Sequence, residues 1–197
     1  MTNEEKIFEA ARKVFQKKGF AAARMQEIAD EAEINKAMLH YFFRSKEQLF
    51  KAVFMTAFGQ LVPQMNAIFN SEESVFVKIE KFTANYIDFV NKNRFLPAFI
   101  IQEMNNNPEF VTEILASDNK PKPDYFIKQI EEEIEKGILK PIPPKQLLLD
   151  IFSMTVFPFV GQVLVKGILN ISDEEFNTLM EERKKHIAQQ IINAIKK

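Results

Sequence analysis

The stretch MQEIADEAEINKAMLHYFFRSKEQLF, residues 25–50, contains two short helical patterns on either side of a tight turn. The first pattern covers residues 25–32, the turn falls at residues 33–35, and the second pattern covers residues 36–42. The inner face of the first helix is small and apolar and is formed by Ile28, Ala29 and Ala32. Because small side chains let two helices cross closely, the stretch predicts a helix-turn-helix whose second helix faces outward.

The charges in this stretch are unevenly distributed. Between Ile34 and Lys46 there is no acidic residue, although the whole chain has 27 Asp and Glu against 26 Lys and Arg. A net charge of -1 gives no overall attraction to nucleic acid, so DNA binding would depend on a local basic patch. Lys36, Arg44 and Lys46 supply such a patch, which is consistent with a surface that faces phosphates. The same charges also fit a solvated face on an ordinary helical protein.

The rest of the chain is also predicted to be helical. Sustained period-2 alternation and Asn-Gly or Asp-Gly turns are missing, so strands are not expected. Ser45 is a good N-cap for a long helix, and Ser172 with Glu175 has the spacing of a capping box. Helices are predicted at residues 3–18, 25–32, 36–42, 46–70, 71–93, 94–105, 108–116, 124–136, 145–169 and 173–195. We therefore predict an all-α fold of about nine to ten helices.

The start of the fourth predicted helix is the one plausible boundary between domains. Residues 1–46 are predicted to form a three-helix helix-turn-helix domain, and residues 47–197 a larger helical domain. Internal repeats and low-complexity tails that would divide the chain further are missing from the sequence. The long helix that begins near Lys46 is therefore expected to connect the two domains.

The run from Phe15 to Leu49 resembles the N-terminal domain of the TetR family of bacterial transcriptional regulators. The matching segments are VFQKKGF at residues 14–20, MQEIADEA at residues 25–32 and INKAMLHYFFRSKEQLF at residues 34–50. The resemblance covers about the first 50 residues, and the remainder agrees in size and helix number. It implies a DNA-binding repressor in which residues 47–197 bind a small-molecule effector and form a homodimer.

The resemblance implies DNA contacts for particular residues. Residues 36–38 fall at the start of the recognition helix, where members of the family meet base edges. His40 and Tyr41 fall where bases or phosphates are contacted, and Lys46 matches a phosphate-contacting lysine at a helix N-terminus. The predicted DNA-binding set is Arg24, Met25, Asn35, Lys36, Ala37, Met38, His40, Tyr41, Arg44 and Lys46.

Three positions depart from the pattern of the family. Arg24 stands where threonine or serine commonly caps the second helix, so that cap is lost, and we hypothesise that Arg24 reaches a phosphate. Glu33 replaces a frequent glycine, so the turn either avoids the left-handed region or is strained there. His40 replaces a frequent tyrosine, and its imidazole either hydrogen bonds to the DNA or packs against Arg44.

The chain beyond residue 47 is rich in Phe and Met. At helical spacing such side chains are typical of a core, but the resemblance implies a ligand cavity between these helices. A cavity lined by aromatic and methionine side chains suits a small hydrophobic or aromatic ligand. The predicted ligand-binding residues are Met65, Phe69, Phe82, Tyr86, Phe89, Met104, Phe126 and Phe157. Glu103 and Asp88 are candidates to meet a cationic ligand, although surface positions suit both.

The last two predicted helices, residues 145–169 and 173–195, are expected to pair with their copies in a homodimer. Gly161 and Gly167 permit close approach of helices, and Pro158 is expected to kink the first of the two. A dimer places its recognition helices roughly 34 Å apart, so the double-stranded DNA operator is predicted to be a near-palindrome. The resemblance implies that the DNA is released by an effector that binds preferentially to another arrangement of the dimer's two helix-turn-helix domains.

Several function classes lack support in the sequence. The chain has no cysteine and 2 histidines, and it has no nucleophile elbow, phosphate-binding glycine loop or dinucleotide fingerprint. We therefore predict that the protein is not an enzyme and uses neither cofactor nor metal. The alternative to a repressor is a helical small-molecule-binding protein without DNA-binding activity, which would not bind a palindrome in a salt-dependent way.

The predicted location is the cytoplasm. The N-terminal residues show no basic segment followed by an apolar one, so a signal peptide is not expected. Residues 151–169 form a long apolar stretch, but it is interrupted by Pro158 and by polar residues that include Lys166. A helix buried in a dimer interface explains this stretch better than a membrane span.

Overall fold

The computed structural model describes residues 2–117 and 120–197, apart from the side chains of residues 98, 99, 102 and 111. In these ranges the chain folds into eleven α-helices, which confirms the all-α prediction. The helices are α1 (Asn3–Ala22), α2 (Met25–Glu31), α3 (Lys36–Phe42), α4 (Lys46–Phe69), α5 (Val75–Lys92), α6 (Leu96–Asn106), α7 (Pro108–Ala116), α8 (Asp124–Glu135), α9 (Pro144–Val160), α10 (Gln162–Leu169) and α11 (Asp173–Ile195).

Short polar side chains determine where several helices begin. The Ser45 hydroxyl accepts a hydrogen bond from the Gln48 backbone N–H, and the Ser172 hydroxyl accepts one from Glu175, as predicted. Glu175 in turn accepts from the Ser172 N–H at 2.8 Å, which completes the capping box. α5 starts later than predicted, at Val75, because Ser74 provides its N-cap.

The predicted single helix at residues 145–169 is wrong, because the chain forms two helices bent by 78° at Gly161. Pro158 lies within α9, where it lacks the N–H that would bond to the Met154 carbonyl. The Arg183 guanidinium from α11 donates to that carbonyl at 3.0 and 3.3 Å, so the helix continues past the proline. The break comes three residues later, and it adds one helix to the predicted number.

α1 differs from the prediction at its C-terminal end. It extends to Ala22 across Gly19, whose φ of 73° and ψ of 172° are not helical. Gly19 has a positive φ, which glycine adopts without strain, and the chain resumes a helical turn after it. This last turn brings the backbone carbonyls of α1 toward the start of α4.

The N-terminal core lies between α1, α2, α3 and the first half of α4. Its centre is formed by side chains with no solvent exposure, namely Ile7, Phe15, Ile28, Leu39, Leu49 and Phe50. Phe95 and Leu96 from the start of α6 belong to the same core, and the Phe15 and Phe50 rings lie 4.5 Å apart within it. The first turns of α4 and α6 are therefore packed with the helix-turn-helix.

The second core joins α4, α5, α8, α9 and α11. Phe69 stacks on Phe82 and on Phe126 with ring centroids 5.6 and 5.5 Å apart. The apolar stripe of α11 is buried in this part of the molecule, where Ile187 and Ile191 are 4% exposed. α5 and α11 thus form the main helix pair of the C-terminal region.

In the part of the chain that the structure describes, no single helix is long and apolar enough to cross a membrane. α9 and α10 together reach the required length and composition, but the 78° bend separates them.

Candidate nucleic-acid interface and internal cavity

α3 presents a polar and basic face outward from a firmly anchored base. Leu39 is 0% exposed in the N-terminal core, whereas Tyr41 on the other side is 85% exposed. The Asn35 amide oxygen accepts a hydrogen bond from the Met38 N–H at 2.7 Å and caps the helix. An exposed helix of seven residues held in this way has the form that enters a DNA major groove.

The predicted DNA-binding residues fall into two groups by exposure. Those exposed to solvent are Arg24, Asn35, Lys36, Ala37, His40, Tyr41 and Arg44. Met25, Met38 and Lys46 are half-buried. The exposed group lies on α3, in the turns on either side of α3 and at the start of α2.

Two acidic residues of α2 form ion pairs within the protein, unlike the basic residues around α3. Glu31 and Glu27 on α2 are paired with Lys13 and Lys18 of α1, with N–O distances of 2.9 and 2.8 Å. The Lys18 hydrogen bond lowers the pKa of Glu27, so this carboxylate stays charged and paired.

The basic residues of the candidate surface lack such partners. In the described ranges Arg24, Lys36 and Arg44 have no carboxylate within 4.0 Å, the limit that defines an ion pair. Glu27 and Glu31 of α2 are therefore neutralised by α1, while these three cations remain accessible to an anionic partner.

Lys46 makes contacts inside the protein. Its ammonium donates to the backbone carbonyls of Phe20, Ala23 and Ala21 at 2.8, 3.1 and 3.3 Å. It also lies 4.5 Å from the centre of the Phe20 ring. The positive charge thus caps the C-terminal carbonyls of α1, where helix dipoles favour a cation. This contact cannot be read from the sequence, because it joins residues more than twenty positions apart.

Two of the departures from the family pattern have clear structural outcomes. Glu33 has a φ of 56°, so the turn adopts the left-handed conformation and is strained by the non-glycine residue. The Arg24 side chain makes no N-cap hydrogen bond, as predicted. Glu27 accepts a hydrogen bond from the Arg24 backbone N–H at 3.3 Å. Arg24 itself is exposed to solvent.

A cavity of about 180 Å³ lies between α4, α5, α6 and α9, directly behind the N-terminal core. Its wall consists of Phe54, Phe58, Leu61, Met65, Tyr86, Phe89, Val90, Leu96, Pro97, Ile100, Pro121, Phe152 and Val156. Asn66 holds the loop that carries Pro121, because it donates to the Lys120 carbonyl at 3.1 Å and accepts from the Lys122 N–H at 2.7 Å. Phe54 and Leu96 also belong to the N-terminal core, so the two regions share side chains.

The predicted ligand-binding residues occupy three different environments. Met65, Tyr86 and Phe89 line the cavity. Phe69, Phe82 and Phe126 are buried in the stacked core beside it. Met104 and Phe157 are exposed on the surface by 51% and 55%.

Sequence reasoning missed most of the cavity wall, although one signal was present. Phe54, Phe58, Leu61 and Met65 follow the i, i+4, i+7, i+11 spacing of a single helical stripe on α4. Of this stripe, the predicted ligand-binding set contains Met65 alone. The contributions of α6 and α9 carry no comparable signal, since their position depends on how the helices pack.

The two acidic residues that are candidates to bind a cationic ligand form ion pairs with lysines of the protein. The Glu103 carboxylate is buried and lies 3.2 Å from the Lys51 ammonium, and it also accepts from the Asn107 amide at 3.1 Å. The Asp88 carboxylate pairs with Lys184 of α11. Neither residue contributes to the cavity wall.

The surface of α9 and α10 is unusually apolar. No residue of α10 is buried in the described chain, and Val163 and Ile168 are 85% and 73% exposed. The exposed large apolar residues of the two helices are Leu149, Met154, Phe157, Val163, Leu164, Ile168 and Leu169. Exposed apolar residues in such number are typical of a protein interface.

Metal-binding clusters do not occur in the part of the chain that the structure describes: no three His, Cys, Asp or Glu side chains converge.

Comparisons with known proteins agree with this geometry. Residues 7–53 match the family of bacterial regulatory proteins, tetR family. The HTH-type transcriptional repressor NicS of Pseudomonas putida is 36% identical over 115 residues, or 58% of this chain and 47% of NicS. The chain thus spans about half the length of that relative.

Two further comparisons extend over most of the chain. The HTH-type transcriptional regulator RutR of Escherichia coli is 26% identical over 172 residues, covering 86% of this chain and 81% of RutR. The crystal structure of the TetR family regulator PfmR from Thermus thermophilus superposes with a TM-score of 0.66 at 17% identity, covering 93% and 97% of the two chains.

The fold and the exposed α3 define an all-α protein with an N-terminal helix-turn-helix. The helix-turn-helix segment of this chain, residues 7–53, matches the TetR family of bacterial transcriptional regulators, as the resemblance at residues 15–49 predicts. Because members of this family regulate transcription and are not enzymes, the prediction of a non-enzymatic protein is confirmed.

Proposed function

We propose that this protein is a cytoplasmic, homodimeric repressor that binds a near-palindromic operator and is released by a small hydrophobic or aromatic effector. The observation that carries the proposal is the outward face of α3, where Lys36 and Tyr41 are exposed above the buried Leu39. Arg24 and Arg44 flank this face without intramolecular ion pairs in the described ranges. The description of NicS as a repressor supports the direction of regulation.

The roles within this surface follow from reach and chemistry. Lys36 and His40 can hydrogen bond to base edges, and Met38 can contact a thymine methyl. Arg24 and Arg44 can bind phosphates, which would fix the register of the helix without reading sequence.

The effector site in this proposal is the cavity behind the N-terminal core. A ligand there contacts α4 through Phe58 and α6 through Ile100, and both helices pack against the helix-turn-helix. A ligand that prefers a different spacing of these helices shifts the dimer away from the DNA-binding arrangement.

The operator is the first thing to determine. We expect selection from random duplex DNA at physiological salt to enrich a two-fold symmetric motif. Lys36→Ala should weaken binding to that motif by about tenfold, as expected for one lost base contact. Lys145→Ala, which removes an exposed lysine at the start of α9, is the matched control.

Two results would contradict the proposal. One is a failure to enrich any motif, which favours the small-molecule-binding protein without DNA-binding activity. The other is an equal loss of affinity in both variants, which would mean that charge alone drives binding.

A further inference from the structure

The cavity wall offers no partner for a charged ligand. Among the described residues that form it, there is no Lys, Arg, His, Asp or Glu. Glu103 and Asp88 are held in ion pairs with Lys51 and Lys184, outside the wall. A carboxylate or ammonium placed in this cavity would lose its hydration without gaining a counter-charge, which is strongly unfavourable.

Tyr86 provides the one polar side chain in the described part of the wall. Its ring stacks on Phe82 with centroids 5.9 Å apart, so the side chain is held in place. Its hydroxyl makes no hydrogen bond within the described chain, and the oxygen keeps some access to the cavity. Burial raises the pKa of Tyr86 to about 12, so the group remains a neutral hydrogen-bond donor at physiological pH.

The size and composition of the cavity limit the ligand further. Its volume of about 180 Å³ is close to that of an apolar cavity of about 150 Å³ that accepts benzene. Phe54, Phe58, Phe89 and Phe152 surround this space. Aromatic side chains in such numbers favour a ring, through offset or edge-to-face contacts.

We propose that the effector is an uncharged molecule of about one aromatic ring in size that accepts a single hydrogen bond from the Tyr86 hydroxyl. This inference rests on the proposed function, because it takes the cavity as the effector site. It adds the charge, the size and the polar anchor of the ligand, which the TetR fold leaves open.

Four isosteric probes can test the inference: acetophenone, α-methylstyrene, benzoate and benzamidinium. Each carries a phenyl ring on a planar three-atom group, and they differ in charge and in hydrogen-bond acceptors. Binding to the full-length protein is measured by isothermal titration calorimetry. We expect acetophenone to bind about three- to tenfold more tightly than α-methylstyrene, as one net hydrogen bond allows. Both ions should bind at least about tenfold more weakly than acetophenone.

Variants locate the effect. Tyr86→Phe should remove the preference for acetophenone over α-methylstyrene while leaving the affinity for α-methylstyrene unchanged. Tyr125→Phe, which removes an exposed hydroxyl that contacts Glu72, is the matched control and should keep the preference. Val156→Phe adds a ring to the wall and should weaken binding of both neutral probes.

Several outcomes would overturn the inference. Benzoate or benzamidinium binding as tightly as acetophenone would contradict the neutral class, and an unchanged preference in Tyr86→Phe would contradict the anchor. Absence of binding by either neutral probe at millimolar concentration would contradict the size. Binding of the selected operator is measured separately without ligand, so its failure identifies an error in the proposed function instead.

Discussion

At the scale of single residues, the helix-turn-helix carries one position of stored strain. Glu33 adopts a φ of 56° in the turn that joins α2 and α3. Its N–H bonds to the Asp30 carbonyl at 3.1 Å, and the Ile34 N–H bonds to the Ala29 carbonyl at 3.0 Å, so the neighbouring hydrogen bonds impose this conformation. A side chain with a Cβ is disfavoured there, whereas glycine is not.

Replacement of Glu33 by glycine is therefore expected to stabilise the protein. Relief of the left-handed strain should outweigh the added chain entropy and raise the free energy of unfolding by about 0.5 kcal/mol. Urea unfolding followed by circular dichroism measures the change. Glu33→Ala removes the same carboxylate but keeps the Cβ, so it should give no gain; equal stabilisation by both variants would point to charge and not to strain.

Tyr86 predicts a pH dependence of stability. Its pKa is raised to about 12 by burial, while in the unfolded chain it ionises near its ordinary value of about 10. As pH rises between these values the unfolded state loses the proton first, so the folded state is progressively destabilised. The melting temperature of the wild type should fall more steeply than that of Tyr86→Phe between pH 10 and about 12. Parallel curves would show that the hydroxyl is not desolvated.

At the scale of helices, the junction between α1 and α4 joins the helix-turn-helix to the rest of the protein. Lys46 occupies the first position of α4 and donates to three carbonyls at the end of α1. Phe20 and Phe50 make an edge-to-face contact beside it at 5.0 Å. The Lys46 ammonium is therefore engaged by carbonyls inside the protein, which favours a positioning role for Lys46 over a direct phosphate contact.

Lys46→Met is expected to separate these two roles. Loss of these three hydrogen bonds should lower the free energy of unfolding by about 1–3 kcal/mol, because the carbonyls lose a charged donor. Operator affinity should fall, but its slope against salt concentration should stay the same. Arg24→Ala provides the contrast: stability should be nearly unchanged and the slope reduced by about one. A reduced slope in Lys46→Met would instead indicate a phosphate contact.

At the scale of the whole molecule, the described chain exposes a basic face and an apolar face and contains a cavity. The basic face of α3 belongs to the helix-turn-helix, and the apolar face of α9 and α10 belongs to the C-terminal region. The apolar stripe of α11 is buried within the protomer, so the predicted pairing of the last helices depends mainly on α9 and α10. Exposed apolar residues on these helices fit a second copy of the chain.

Ile168→Glu is expected to disrupt this pairing. The side chain is 73% exposed in the protomer, so the substitution leaves its fold intact but would place a charge in the proposed interface. Light scattering should show a shift from dimer to monomer, and affinity for a two-fold operator should fall. Thr112→Glu, an equivalent change on exposed α7, should leave both unchanged. A wild-type monomer, or a dimeric Ile168→Glu variant, would contradict this arrangement.

The sequence by itself determined most of the secondary structure and the recognition helix. The predicted bounds of α3 are those observed, and Ser45 and Ser172 cap the helices assigned to them. These features depend on residues within one helical turn of each other, so they can be read from spacing and side-chain chemistry. The strain at Glu33 was one of two outcomes that the same local argument left open.

Only the tertiary structure decided which apolar side chains form a core and which line a cavity. Phe82 and Tyr86 lie one turn apart on α5, yet Phe82 is buried in the core while Tyr86 lines the cavity. The inward position of Lys46 and the exposed face of α10 likewise depend on contacts, or missing contacts, with distant helices. Hydrophobic periodicity specifies that a face is buried, but the packing of other helices against that face determines whether any space is left.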